Sequence, residues 1–355
     1  MRWRRSALLF IFVLATILLF FAFYTYPINK NVRLYIDNEG IVNYEAAVHY
    51  WKDEIENMGG SNAFEKLVID LSGTHPPQAH FIAHAFGEAL YSTEGIHGFS
   101  SCKKNFAYGC YHQFIAMAIA EYGIDIVHTI NETCLNSADT SYGSCTHGIG
   151  HGVLAFSGYQ YENLIETLSV CRLLDTPKKS RCAIGAFMEY NQRTLAAVDT
   201  SRDATARALT QESKYEPCES VPSYFKKECA EELPNWWIST LNPGMMHDGP
   251  YKQAGTFCEH FSSDEELQGC FYGIGVVIAR TYSTPSKIST LCQNVSQDTA
   301  RQHACLIGAV RYSKLGEEQS ITETTCSIFN SSKEWLGYCT THARDSTHEI
   351  PFPQY

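Results

Sequence analysis

Histidine is the residue type here whose number and spacing point to chemistry. The chain has 14 histidines, and seven of them lie between His80 and His151 inclusive. Two pairs have H-x-x-x-H spacing, His80/His84 and His147/His151. Residues four apart share a helix face, so each pair can present two imidazoles to one ion. His112 stands between the pairs, and Glu88 continues the first face one turn on. Imidazole with a carboxylate suits a transition metal ion such as zinc, copper or iron, and the sequence does not choose among them. The zinc-peptidase motif H-E-x-x-H is absent, because Phe81 follows His80 and Gly148 follows His147. A histidine near a helix start also commonly hydrogen-bonds a backbone group, so a purely structural role stands beside the metal role.

The histidines sit inside a repeat that the cysteines define. The 14 cysteines fall into pairs Cys102/Cys110, Cys134/Cys145, Cys171/Cys182, Cys218/Cys229, Cys258/Cys270, Cys292/Cys305 and Cys326/Cys339. The first cysteine usually ends an amphipathic stretch such as ENLIETLSVC, a polar loop such as SSDEELQG follows, and the second opens an apolar stretch such as CAIGAFMEY or CFYGIGVVIA. First members recur about 32 to 47 residues apart, the period of a helical repeat. The spacing predicts an αα-hairpin per pair, with its second helix beginning near the second cysteine and a disulfide clamping the turn. Each such crosslink constrains the unfolded chain by roughly 2–3 kcal/mol in the entropy model. No C-x-x-C occurs, which disfavours zinc ligation by the cysteines. Gly148, Gly185, Gly273 and Gly308 each stand three residues after a second cysteine, which predicts close approach of a neighbouring helix there. The period and the hairpin unit resemble the architecture of the tetratricopeptide and Sel1-like repeat families. Neither family's residue pattern is present, so the likeness carries no functional residue.

Register then relates the histidines to one another. His112 and His147 both stand two residues after a second cysteine. Aligning HFIAHAFG on HGIGHGVL puts His80 in the same place, with His84 and His151 one turn further along. Equivalent positions of a solenoid line up on one side, so His84, His112, His147 and His151 are expected to converge, with His80 and Glu88 beside them. Later repeats carry Ile184, Glu231, Tyr272, Ile307 and Thr341 at that position. In CTHGIGHGVLAF, Gly148, Gly150 and Gly152 cost a helix about 2–3 kcal/mol relative to alanine, which tight packing or a ligand must offset. Glu189, an acid in an apolar helix, either joins the cluster from the next repeat or is partly exposed.

Other stretches set the context. Residues 7–24, ALLFIFVLATILLFFAFY, carry no charge and span about 27 Å as a helix, with Arg2, Arg4 and Arg5 before them. This predicts an uncleaved signal-anchor with a cytoplasmic N-terminus and an extracellular or periplasmic body. A cleaved signal peptide is the rival, and it lacks a clean small-x-small site. An even cysteine count, with none in the anchor, fits export. The net charge of -11 disfavours a nucleic-acid partner.

The expected fold is all-α: a right-handed αα-hairpin repeat solenoid of about seven cysteine-paired repeats behind one N-terminal transmembrane helix. Residues 1–24 form the stub and anchor, 25–43 a linker, 44–342 the repeat body and 343–355 a tail. HFIAHAFGEALY is expected to cap the repeats at the N-terminal end, Pro222 and Pro234 to limit the helices of the fourth pair, and 242–250 to kink the body. Asn131, Asn294 and Asn330 begin N-x-S/T sequons. No P-loop, G-x-S-x-G or dinucleotide fingerprint appears. On the sequence alone, the reading is a membrane-tethered binding or scaffold module for a protein or peptide ligand, carrying a His-rich metal site. An exported metal-dependent hydrolase or oxidoreductase is the alternative.

Overall fold

The computed structural model describes residues 34–36, 41–136, 142–174, 178–195, 207–242, 249–282 and 284–315, with Cys326, Lys333, Leu336, Gly337 and Cys339. The expected anchor, the tail, most of 242–250 and Asn330 lie outside the described residues. Among those described, the chain is all-helical apart from turns and one isolated bridge between Ile36 and Val42. No described helix is long and apolar enough to cross a membrane.

The helices are α1 (Tyr44–Met58), α2 (Gly60–Asp70), α3 (Pro76–Glu94), α4 (Gly109–Tyr122), α5 (Ile126–Asn136), α6 (Tyr142–Ser157), α7 (Tyr161–Arg172), α8 (Lys178–Gln192), α9 (Lys226–Leu241), α10 (Tyr251–Cys258), α11 (Asp264–Thr281), α12 (Pro285–Asn294) and α13 (Thr299–Leu315). Local signals set several ends. Asn43 caps α1 by accepting from the Ala46 N–H at 3.1 Å, and Ser263 caps α11 by accepting from the Glu266 N–H at 3.2 Å. Pro76 and Pro285 open α3 and α12, where a missing N–H costs nothing.

The seven cysteine pairs are disulfides in the order the spacing predicts, with Cα–Cα distances of 5.4–5.8 Å. Cys134–Cys145 joins α5 to α6, Cys171–Cys182 joins α7 to α8, Cys258–Cys270 joins α10 to α11, and Cys292–Cys305 joins α12 to α13. Cys218–Cys229 ties the turns before α9 to that helix, and Cys326–Cys339 closes the last pair. The second helices form a row in which each packs on the next: α3, α4, α6, α8, α9, α11 and α13, with α1 against α3. The first helices α5, α7, α10 and α12 lie in the grooves between consecutive members of that row. One continuous core runs through it, anchored on Trp51, Phe86, Phe114, Phe187, Trp237 and Phe271.

Cys110 opens its helix, one residue past Gly109, as the sequence pattern suggests, but other second cysteines lie further in. Cys229 lies inside α9, three residues past Lys226, and Cys270 lies inside α11, six residues past Asp264. Most of the SSDEELQG stretch, expected as loop, is therefore helix. The Ser263 cap and the first-turn acids Asp264, Glu265 and Glu266 start α11 ahead of its apolar part, since they satisfy free N–H groups and complement the helix dipole. Ahead of Cys229, a 3-10 turn (Ser223–Phe225) leads directly into α9, with Glu228 in its first turn.

Two hairpins depart from the pattern. The Cys102–Cys110 disulfide joins a 3-10 segment (Gly95–Ser101) with its following Cys102 to α4, so a full first helix is missing there. In the fourth, turns replace the first helix, and α9 runs straight through Pro234, which does not limit it as its type suggests. The buried Trp236 and Trp237 rings follow the proline, and packing of that turn outweighs the lost backbone hydrogen bond. At the N-terminal side, Tyr35 and Ile36 of the expected linker are buried, and Tyr35 packs 6.4 Å from Trp51. Asn131 is buried in α5, which keeps that sequon out of reach in the folded chain, whereas Asn294 is exposed.

The recurrent glycines are where the row is tightest. A methyl group on Gly185 would strike the His147 carbonyl oxygen, one on Gly273 the Glu231 carbonyl, and one on Gly308 the Tyr272 carbonyl. These are contacts between helix backbones, so the neighbour cannot yield by turning a side chain. Gly185→Ala is therefore expected to destabilise the chain by about 1–3 kcal/mol, against an intrinsic helix gain of about 1 kcal/mol for alanine. Chemical denaturation checks the sign. A stabilised variant would show that α6 and α8 do not touch.

Candidate metal centre

The same contacts measure register, and they shift one alignment. Gly150 abuts the Cys182 carbonyl and Gly275 the Cys305 carbonyl, each from five residues beyond its own second cysteine, Cys145 and Cys270. In α3 the residue that abuts the Cys110 carbonyl is Gly87. Counting back five places Ile82 where the cysteine would stand. His84, not His80, is therefore level with His112 and His147. His80 lies one turn before that level and His151 one turn after it. The alignment of His80 with His147 is displaced by one helical turn, because an H-x-x-x-H pattern repeats itself at the helical period and supports either register.

The row brings five imidazoles together. Ring nitrogens of His80, His84 and His112 lie within 4.8 Å of one another, and so do those of His112, His147 and His151. His112 belongs to both groups. Glu88 belongs to neither: it accepts from Tyr44 Oη at 2.9 Å and from Gln113 Nε2 at 3.2 Å. The histidines thus converge as two triads rather than as one four-imidazole set. His84, His112 and His151 are buried, and His80 and His147 keep partial exposure.

Fixed hydrogen bonds orient the outer rings. His80 Nδ1 meets the Phe106 carbonyl at 2.8 Å, and His151 Nδ1 meets Glu189 Oε2 at 2.9 Å. Both partners only accept, so each Nδ1 donates and each ring turns its Nε2 inward. There His80 Nε2 faces His84 Nε2 at 3.1 Å, and His151 Nε2 faces His147 Nε2 at 3.0 Å. Two imidazoles on one ion at 2.0–2.1 Å have their nitrogens about 2.8–3.4 Å apart. Both pairs fall inside that span.

Glu189 resolves between its two sequence readings, since it is fully buried beside the cluster. It also accepts from Tyr159 Oη at 2.8 Å, Thr194 Oγ1 at 2.7 Å and the Leu195 N–H at 2.9 Å. Burial pushes its carboxyl up, but the His151, Thr194 and Leu195 interactions outweigh burial and hold it below its usual range. It is the carboxylate behind a candidate ligand histidine, the arrangement that fixes ring orientation at metal sites. Sequence flagged the residue but not its partner, which is 38 positions away.

The protonation states suit ligation. Burial pushes His80 down to about 4 and holds His84, His112 and His147 well below 6.5, with neighbouring rings adding to the effect. His147 is further lowered by the charges of Arg181 and Arg280, and His80 by that of Arg280. Two polar atoms stand out, because His84 Nδ1 and His112 Nδ1 are buried without a hydrogen-bond partner. Each such atom costs about 1–3 kcal/mol unless something satisfies it. On α9, burial lifts Glu232 to about 8, and Glu231 is raised for the same reason.

No protein-family model matches the chain, and no curated protein or solved structure matches it.

The buried rings give the metal-free chain a pH signature. In the unfolded chain a histidine takes up its proton near 6.5, and in the fold these rings take it up only well below that value. The stability they contribute is present above pH 6.5 and is lost as pH falls below it toward the folded values. Glu232 works in the opposite sense, its contribution being lost as pH rises through about 8, so a comparison with a variant isolates the histidines. In chelator, the His84→Gln, His112→Gln variant is expected to lose less stability than the unmodified chain between pH 7 and 5. The difference is at most about 1.4 kcal/mol per pH unit for each histidine replaced. Denaturant titrations at both pH values measure it, and equal losses would show that the rings titrate normally in the fold.

Proposed function

We propose that this chain is an exported, membrane-anchored metalloprotein whose N-terminal repeats hold transition-metal ions on sets of three imidazoles, with metal-assisted hydrolysis or oxidation as its class of chemistry. The observation that carries this reading is the convergence of five histidines from α3, α4 and α6 into two triads of ligand atoms. Three protein nitrogens leave the fourth position of a tetrahedral ion open to water or substrate, as catalytic sites require. The partial exposure of His80 and His147 supports an opening of that position toward solvent. The charges of Arg181 and Arg280 act on His147 and favour an anionic ligand beside it. A bare binding scaffold gives no role to a row of imidazoles in which His84 Nδ1 and His112 Nδ1 are buried without a partner. All-imidazole ligation suits zinc or copper above harder ions.

The rest of the architecture supports the setting. Seven disulfides favour an oxidising compartment for the body. The row of packed second helices, with first helices in its grooves, supports a right-handed αα-hairpin solenoid. The uncharged run 7–24 after Arg2, Arg4 and Arg5 supports an anchor that leaves the body outside the cytoplasm. The acidic balance keeps nucleic acid off the list of partners.

The test is elemental analysis of the full chain, purified in detergent without chelator or histidine tag. Stoichiometric zinc or copper is expected, lost in the His147→Ala, His151→Ala variant, which should also melt earlier because bound metal stabilises the folded state. Less than about a tenth of an equivalent of any transition metal, even after reloading, would remove the metal reading and leave a scaffold.

A further inference from the structure

We propose that His112 bridges two metal ions as an imidazolate, so that the centre is dinuclear. This rests on the metal reading above and goes beyond it in stoichiometry and in the role of one residue. One ion is held by His80, His84 and one nitrogen of His112, and the other by His147, His151 and the second nitrogen of His112.

The placement of His112 argues for this. Its helix, α4, packs on α3 and on α6, which do not supply a ligand to each other's triad. α3 and α6 each contribute two histidines one turn apart, whereas one turn after His112 stands Ala116. The His112 ring centroid is 5.4 Å from His80, 5.5 Å from His84, 5.2 Å from His147 and 4.8 Å from His151. Two imidazoles sharing an ion at ordinary bond lengths have centroids about 5 Å apart, so the ring stands at ligand-sharing distance from both pairs at once. A histidine that ligates a single ion normally anchors its other nitrogen on a carbonyl or carboxylate, as His80 and His151 do here. His112 has no such anchor; His84 Nδ1 lacks one as well, but of these two rings it is His112 that stands at ligand-sharing distance from both pairs. It is buried, and its Nδ1 has no hydrogen-bond partner. A second ion is the group that would complete it.

The proton balance is simple. Neutral His112 carries one ring proton. The first ion takes the free lone pair. As the second binds, the remaining N–H bond breaks, a metal–nitrogen bond forms in its place, and the proton leaves to solvent. No oxidant or reductant is involved. The ions would lie on the order of 6 Å apart, the width of the ring plus two bonds of 2.0–2.1 Å.

The experiment loads the full chain with Cu(II) alone and combines metal counting with frozen-solution electron paramagnetic resonance. Two ions per chain are expected, with a spin count several-fold below two because an imidazolate couples the pair antiferromagnetically. Acidification should restore the missing spins reversibly as the bridge is protonated, a readout that needs no variant. His112→Ala should either bind fewer ions or show every bound ion at full spin intensity. One ion per chain would overturn the bridge and leave the metal reading standing. Two ions at full spin count in the unmodified chain would overturn the bridge as well. No bound ion would overturn both.

Discussion

Contact between the backbones of successive second helices, made where side chains are absent, is the constraint on which the rest of this structure depends. Gly185 against the His147 carbonyl and Gly150 against the Cys182 carbonyl lock α6 and α8 from both sides. Gly275 against the Cys305 carbonyl and Gly308 against the Tyr272 carbonyl do the same for α11 and α13. A helix held at two such points cannot slide by a turn. The disulfides add a covalent clamp within each hairpin, but a crosslink of that kind leaves the sliding of one hairpin over the next undetermined. Register between hairpins is a property of the glycines, and the positions of the imidazoles follow from it.

That division of labour explains what the sequence showed and what it did not. Cysteine pairing was legible because pairs a dozen residues apart can only staple a local turn, and seven such pairs repeat the statement. Helical content was legible from the amphipathic stretches, and the close approach at Gly185, Gly273 and Gly308 from recurrence at one repeat position. Helix starts were less so. Cys229 and Cys270 mark where a helix meets its crosslink, not where it begins, and for α11 the beginning is set by Ser263 and the acids after it. The convergence of the histidines was legible in outline. Its register on α3 was not, because that helix has no cysteine to index it and its histidines repeat at the helical turn. Gly87 was the available signal: it stands five residues after Ile82, as Gly150 does after Cys145. Pro234 was misread because proline's local cost was weighed without Trp236 and Trp237 beside it. The splitting of the ligands into two triads was beyond sequence, since it depends on side-chain reach across three helices.

Electrostatics then make the imidazoles expensive as structure and apt as ligands. The same burial that keeps His84 and His112 neutral strips them of the water their nitrogens would otherwise bind. Glu189 shows how this fold treats a buried polar group that it uses internally, surrounding one carboxylate with four donors. No comparable provision surrounds His84 Nδ1 or His112 Nδ1. Within one continuous core, a fully satisfied carboxylate stands in the same cluster as rings whose nitrogens the fold leaves unsatisfied, the contrast expected between a supporting residue and candidate ligands.

The later repeats serve as an internal control on that distinction. At the level of His84, His112 and His147, α8 has Ile184, α11 has Tyr272 and α13 has Ile307, and all three are buried in the same row. The architecture therefore forms around apolar or aromatic side chains at this position and has no structural need of imidazole there. Where the row does place an acid at that level, Glu231 on α9, an arginine comes with it, Arg181 at 4.0 Å. At this level, among the described residues, the buried polar atoms without a partner belong to His84 on α3 and His112 on α4, within the histidine cluster. Three consecutive second helices carry a shared chemistry that the later members of the row lack or neutralise, on a scaffold common to all of them. Packing shared along the row does not distinguish equivalent positions, and the difference is the one the proposed metal role of the first repeats would require.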